Sequence, residues 1–371
     1  MTLLATAVLV LGGTVSAQDT SKPPGIRSLW KMGDSLSRTE TRNIGQSAIA
    51  TYLYIEEYEV RHEVMIPLYL MEDWVGFEYG DASSIDTAEQ RAILPIMEEF
   101  LSGRNPLSID GIEVQPIVYR VEFVDPVSIA SIQDTVTPGP IDLYTSWIGI
   151  ILIHETKGIP GTVEIAWDML NASMTDIKSL VFAFDQAIEI QFSADSAVYR
   201  WDNPGIEPTP PINEIEAEGR SWWKFWGGGI SDKSAGKIHE TLLRNVYRAF
   251  DYRSESDVYD ALARSVGGEL LDEIYLQIRK SLAMQEQGGA ISRIRKVEIV
   301  EGRVKDSDDD SFRYAGNWIV EGTVEHWGHI HARTNGYSAE FSIREIEGAW
   351  KIVDLQVTKQ ERLKFESTLR Q

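Results

Sequence analysis

Between Asn203 and Gly229 the chain passes through residues that neither a helix nor a sheet accommodates: Asn203-Pro204-Gly205, Pro208-Thr209-Pro210-Pro211 and Gly227-Gly228-Gly229. Proline lacks the N–H that both ladders need, and glycine is costly to order within either. This stretch forces the fold into two bodies, one on each side. A length of 371 residues agrees, at roughly 150 per domain. Within it lie an acidic run, Glu214 to Glu218, and the cluster Ser221-Trp222-Trp223-Lys224-Phe225-Trp226. The indole rings either pack on one or both domains and fix their angle, or stack against a sugar or another apolar ligand. Residues 204–236 are read as an interdomain linker.

The two sides differ in pattern. Before the linker, strand signals dominate. From Thr51 to Pro67, residues Tyr52, Tyr54, Tyr58, Val60, Val64 and Ile66 share one parity, while Glu57, Glu59, Arg61 and Glu63 share the other. One strand with an aromatic face and a solvated charged face is expected. Further strands are expected near Ile112–Val124, Ile148–Glu155, Thr162–Leu170, Ser179–Phe184 and Ala187–Phe192, with one helix over Thr87–Leu101 stopped by Gly103. Residues 44–203 therefore predict a mainly-β sandwich with one inserted helix.

After the linker, helices come first. Ile238, Leu242, Val246 and Phe250 form one stripe; Ser254 caps a second helix carrying Val258, Leu262 and Val266; Leu270, Ile274, Ile278 and Leu282 form a third stripe, ended by Gly288. Strands are expected at Ser292–Val304, Phe312–Ala332, Tyr337–Glu345 and Trp350–Thr358, with turns at Asn335-Gly336 and Glu347-Gly348. Three helices on a curved four-stranded antiparallel sheet make an α+β body over residues 237–362, with a tail at 363–371. That element order, and the closing run Gly348-Ala349-Trp350-Lys351-Ile352-Val353-Asp354-Leu355, resemble the SnoaL-like cone fold of ketosteroid isomerase and nuclear transport factor two. The resemblance implies a pocket inside the cone. Family members that are enzymes use pocket carboxylates, Tyr or His there, and many relatives only bind ligands or partners. No motif fixes a correspondence of catalytic residues. The first domain resembles no family.

The first residues locate the protein. Leu3, Leu4, Val8, Leu9, Val10 and Leu11 form a short apolar run, and Val15-Ser16-Ala17 supplies the small residues of a cleavage site. Residues 1–17 read as a secretory signal, too short for a membrane span, although no Lys or Arg precedes the run. Residues 18–43 read as a flexible segment, and the mature protein is expected in the periplasm or outside the cell, without a membrane span. The absence of Cys excludes disulfides, thiolate metal sites and thiol nucleophiles. A net charge of −22 argues against a nucleic-acid partner. That charge is uneven. Residues 18–219 hold 12 Lys+Arg and 33 Asp+Glu, whereas residues 220–371 hold 23 and 24. The acidity belongs to the first domain, where it suits either a cationic partner or simple solubility.

Chemistry concentrates in His326-Trp327-Gly328-His329-Ile330-His331, which holds three of the six histidines. In a regular strand His329 and His331 share a face, and a β-bulge at Gly328 would add His326. Three imidazoles so placed suit zinc, copper or nickel, with Glu325 and Glu340 near in sequence to complete the site. Alternatively these histidines line a pocket rim with Arg333. Tyr247, Tyr275, His329, His331 and Arg333 are the candidate ligand-pocket residues. His62, His154 and His239 read as structural histidines.

Other motifs fail. Six residues separate Gly229 from Gly236 and Ile238 stands where a phosphate loop needs Ser or Thr. Gly336 to Glu340 lacks the second glycine of a nucleophile elbow. Asp306, Asp308 and Asp310 alternate as in a calcium loop, but Ser311 and Asn317 occupy its Gly and Glu positions, so a solvated hairpin is expected. The resulting expectation is an exported, non-catalytic binding protein for an envelope protein or a small ligand, with no cofactor. The alternatives are a metal-binding accessory protein using His326, His329 and His331, and an isomerase- or hydrolase-like enzyme in the C-terminal pocket.

Overall fold

The computed structural model describes residues 49–80, 83–124, 139–171, 174–184, 186–217, 230–288, 291–327 and 329–369. The expected signal segment 1–17, the segment 18–43 and the Trp222–Trp226 cluster lie outside the described residues. Two compact units emerge, one ending at Pro208 but also including Trp327–His329, the other formed by Thr209–His326 and Ile330–Thr368.

In the first unit the chain runs β1 (Ala50–Ile55), β2 (Glu59–Pro67), α1 (Leu68–Met71), β3 (Ser84–Ile85), α2 (Thr87–Ser102), β4 (Leu107–Ile109), β5 (Ile112–Val114) and β6 (Ile117–Val124). It continues through β7 (Ile141–Asp142), β8 (Trp147–Glu155), β9 (Thr162–Ala166), β10 (Asp176–Ala183), β11 (Gln186–Ser193) and β12 (Val198–Asp202). These strands form a six-stranded sheet (β11-β10-β1-β2-β8-β6), a four-stranded sheet (β12-β9-β4-β5) and the pair β3-β7. The expected sandwich with one inserted helix is thus corrected: there are two α-helices among the described residues, three sheets, and a parallel contact between β1 and β10. Apolar side chains of the six- and four-stranded sheets and of α2 share one core, including Leu53, Val64, Ile150, Ile93, Met97 and Ile165. Asp86 fixes the start of α2. Its side chain accepts from the Ala88 and Glu89 amides while Glu89 accepts from the Asp86 amide, a reciprocal cap.

The stretch expected as one strand, Thr51–Pro67, is a hairpin. The reversal between Ile55 and Glu59 shifts the parity, and the antiparallel register sets Tyr54 opposite Arg61 and Tyr52 opposite Glu63. Aromatic and charged residues therefore share a face. That face is not solvated: Glu59, Arg61 and Glu63 are each no more than 1% exposed. β2 is a central strand, and the charges sit beside one another.

The second unit comprises β13 (Ile215–Glu216), α3 (Asp232–Arg248), α4 (Glu255–Ala263), α5 (Glu269–Gly288), β14 (Ile291–Ser307), β15 (Ser311–His326), β16 (His329–Ile346) and β17 (Ala349–Leu369). Ser231 and Ser254 cap α3 and α4 through side-chain oxygens. The sheet order is β13-β17-β16-β15-β14. The expected cone with four strands is corrected by this fifth strand, which comes from residues read as linker. β17 would otherwise present unpaired backbone groups at its edge. Ile215 pairs with Trp350, the Ala217 amide donates to the Gly348 carbonyl at 2.7 Å, and Ile212 is fully buried. Asn245 on α3 donates to the Asn213 carbonyl and fastens the segment.

Two of the expected turns are present. Glu347 and Gly348 both have positive φ, 51° and 84°, as a tight hairpin turn requires. The three aspartates flank or form the β14–β15 turn, where the Asp308 amide donates to the Ser311 carbonyl. Asn335-Gly336, by contrast, lies inside β16. The chain reverses between His326 and His329 instead, with Trp327 at φ 46°. Trp318 and Tyr337 lie equally far on either side of that reversal, and their rings stack at 5.3 Å. A turn at Asn335 would separate them. In the first unit, Trp327 is buried over Gly149, where any Cβ would come within 2.8 Å of the ring, and its Nε1 donates to Glu122 at 3.2 Å.

Candidate functional site

β16 alternates strictly between faces, and its odd-numbered residues share one. From Tyr337 onward this face is apolar: Tyr337, Ala339, Phe341 and Ile343 are buried with Leu242 and Val246 of α3. Before Tyr337 the same face turns polar without becoming exposed. His331 is 1% exposed, Arg333 4% and Asn335 1%. A strand that carries imidazole, guanidinium and amide into the interior needs a compensating polar environment.

The boundary between the two halves is an aromatic-polar step. The Trp318 Nε1 donates to the Tyr247 hydroxyl at 2.9 Å. Burial raises the Tyr247 hydroxyl far above its ordinary pKa, with Tyr337 adding to the effect. Burial also pushes Tyr337 up to about 12, opposed by the Asn335 side chain and by Arg362 of β17. Both hydroxyls are neutral donors at any physiological pH. Apart from its approach to Tyr337, neither amide atom of Asn335 has a hydrogen-bond partner among the described residues. Arg333 is held below its ordinary pKa by burial first, and then by the positive charge of Arg362.

The expected pocket residues fall into three groups. Tyr247, His331 and Arg333 are buried in this unit, with Tyr247 against the Trp318–Tyr337 pair and His331 and Arg333 on the β16 face. Tyr275 is not with them: its hydroxyl reaches Glu255 at 3.4 Å near the surface, and its ring meets Tyr259 edge-on. The side chains of His326 and His329, like Gly328, lie outside the described residues. Their backbones end β15 and begin β16, so the histidine cluster straddles a chain reversal rather than one strand. Among the described residues, no group of three or more His, Asp or Glu could hold a metal ion. Asn335 was missed because Asn-Gly signals a turn. The signal that finds it is the unbroken period of two from His331 to Ile343.

A second buried polar cluster lies in the first unit. Arg61 contacts Glu59 at 3.3 Å and Glu63 at 2.9 Å, and its guanidinium lies 3.9 Å from the centre of the Tyr54 ring. Tyr54 in turn stacks on Phe182 at 4.9 Å. On the opposite face of β2, His62 lies 2.9 Å from the Thr51 hydroxyl. Burial, and then the neighbouring His154, lower His62 to about 3; burial lowers His154 to about 4. An arginine held between two carboxylates of its own strand, together with neutral buried histidines, describes a packed centre.

No family model and no curated protein matches the chain. Among solved structures, the intermembrane-space region of the chloroplast protein ARC6 is similar over 35% of this chain and 98% of that one, at 14% identity. Its TM-score of 0.27 is too low to support an argument about fold or function.

Proposed function

We propose that the protein is an exported, non-catalytic binding protein whose small ligand is held at the polar end of the β16 face, beside Tyr337 and Tyr247. The observation that carries this reading is the burial of His331, Arg333 and Asn335 on the face that elsewhere forms the apolar core. A core that needed only stability would gain by continuing the apolar pattern of Ala339, Phe341 and Ile343. Buried donors on a rigid strand are what recognition of a polar ligand requires. Export is inferred from the apolar run and the small residues at Val15-Ser16-Ala17.

The test has two parts. N-terminal sequencing of the secreted or periplasmic chain should find a start near Gln18; an intact Met1 in the cytoplasm would end the export reading. Native mass spectrometry of the full chain, with a library of small polar compounds, should find a saturable complex that Arg333→Gln weakens. A chain that retains no compound, in either form, would refute the ligand reading.

A further inference from the structure

We propose that the first unit docks an arginine-bearing, basic peptide segment of a protein partner on a surface formed by Tyr69, Tyr144, Glu72 and Asp73. This surface shares no residue with the β16 face.

Tyr69 and Tyr144 are 39% and 61% exposed, and their ring centres lie 6.2 Å apart at an interplanar angle of 38°. Neither ring belongs to the hydrophobic core of the unit, which takes the flanking Leu68, Met71 and Leu143 instead. An isolated surface tyrosine is ordinary. Here two are presented side by side by segments that are tied together. The Leu68 amide donates to the Ser146 carbonyl at 2.9 Å, and the Asp142 carboxylate accepts from the Tyr144 and Thr145 amides at 2.9 and 3.1 Å. The backbones that carry both rings are therefore fixed before a partner arrives, which lowers the ordering cost of binding.

The charge beside the rings is negative and uncompensated. The helical turn that begins at Leu68 continues past α1, with the Asp73 amide donating to the Leu70 carbonyl at 3.2 Å and the Val75 amide to the Met71 carbonyl at 2.8 Å. Glu72 and Asp73, three and four residues after Tyr69, thus lie on its side of the turn, and both are exposed. The Tyr79 hydroxyl, which donates to Glu72 at 2.9 Å, and the Asn171 amide, 3.5 Å from Asp73, are neutral partners. Neither acid forms an ion pair with Lys or Arg among the described residues. The two segments that build the surface, residues 62–90 and 121–156, contain no Lys or Arg.

Open aromatic faces beside free carboxylates suit a planar cation. A guanidinium stacks on a tyrosine face while its N–H fork reaches a carboxylate, and a lysine ammonium does only part of this. The rings are open to solvent, whereas a small ligand must be enveloped, so the cation belongs to a larger partner. The excess of acid over residues 18–219, 33 Asp+Glu against 12 Lys+Arg, draws such a segment in.

The test uses the purified full chain and fluorescein-labelled octapeptides that alternate glycine with arginine or with lysine, followed by fluorescence anisotropy at several salt concentrations. The arginine peptide should bind saturably, and several-fold more tightly than the lysine peptide. Tyr69→Ala and Tyr144→Ala, at exposed positions outside the core, should each weaken it by about three- to tenfold. Tyr259→Ala, at a similarly exposed tyrosine of the second unit, should leave it unchanged. Glu72→Gln should weaken binding and flatten its salt dependence. Equal affinity for the two peptides, or full affinity in Tyr144→Ala, would reduce the attraction to overall acidity and overturn the surface. Tetramethylammonium binding as tight as that of the arginine peptide would assign a small cation instead and overturn the partner class. An arginine peptide that does not bind at all would overturn the proposal outright.

Discussion

Replacing Gly302 with alanine tests how the second unit holds its aromatic layer. Gly302 on β14 pairs directly with Gly316 on β15. The Tyr314 ring covers the first of these glycines and the His239 ring the second, and the two rings lie 4.6 Å apart. A Cβ on Gly302 would collide with the hydroxyl end of the Tyr314 ring, 2.5 Å from its Cζ. The ring has little freedom to retreat. Its hydroxyl is 3.2 Å from where a Cβ on Gly236 would be, His239 covers one face, and the residue is 3% exposed. Overpacking of this kind costs about 1–3 kcal/mol. Alanine recovers roughly 0.5–1 kcal/mol of backbone entropy in a strand. The net loss is about 1–2 kcal/mol, read as a fall of ~2–8 °C in the melting temperature of the second unit by calorimetry. Tyr314→Phe in the Gly302→Ala background should return part of the loss, because removing the hydroxyl frees the ring to slide toward Gly236. A Gly302→Ala protein as stable as the parent, or a double variant with no recovery, would refute the cradle.

Arg61→Ala removes the cation shared by two buried carboxylates and should cost about 3–5 kcal/mol in urea unfolding of the first unit, whereas Arg120→Ala, at a half-buried pair with Glu122, should cost far less. Acid should destabilise the protein through its buried histidines. Their folded pKa values, about 3 for His62 and about 4 for His154 and His239, lie below the unfolded value, so the unfolded chain binds the extra protons. Stability is complete above the unfolded value of 6.5 and falls as pH drops from there toward 4, by about 2 kcal/mol per histidine between pH 7 and pH 5. Equal urea midpoints at pH 7 and pH 5 would contradict this. His239→Phe isolates one contribution: neither ring nitrogen has a hydrogen-bond partner among the described residues, so the change should be within about 1 kcal/mol at pH 7 and should outperform the parent at pH 5. A loss above about 2 kcal/mol at pH 7 would mean that the imidazole is hydrogen-bonded after all.

Local signals placed much of this fold. The helix from Thr87, the Ser254 cap and the Glu347-Gly348 turn obey rules that involve only a few adjacent residues. What escaped depended on pairing between distant segments. Ile215 and Glu216 look like part of a proline-rich connection until the edge of β17 is present to receive them. Asn335-Gly336 has the composition of a turn, and only the Trp318–Tyr337 stack makes it strand. The candidate site was partly legible: His331, Arg333 and Tyr247 follow from residue type and period, while Tyr275 diverges because helix geometry turns it toward Glu255 at the surface.

The two central strands, β2 and β16, show why alternation alone misjudges polar residues. Both carry polar side chains at alternate positions over part of their length, and parity says only that those residues share a face. Whether the face meets water is decided by the strand's place in its sheet, and β2 and β16 are each flanked on both sides. In β2 the alternating residues are of opposite sign, Glu59-x-Arg61-x-Glu63, so Arg61 offsets part of the strand's own buried negative charge. In β16 the corresponding run, His331-x-Arg333-x-Asn335, contains no acid. The same physical demand therefore separates the two strands: one carries a counter-charge within its own run, and the other draws its polar partners from elsewhere in the fold.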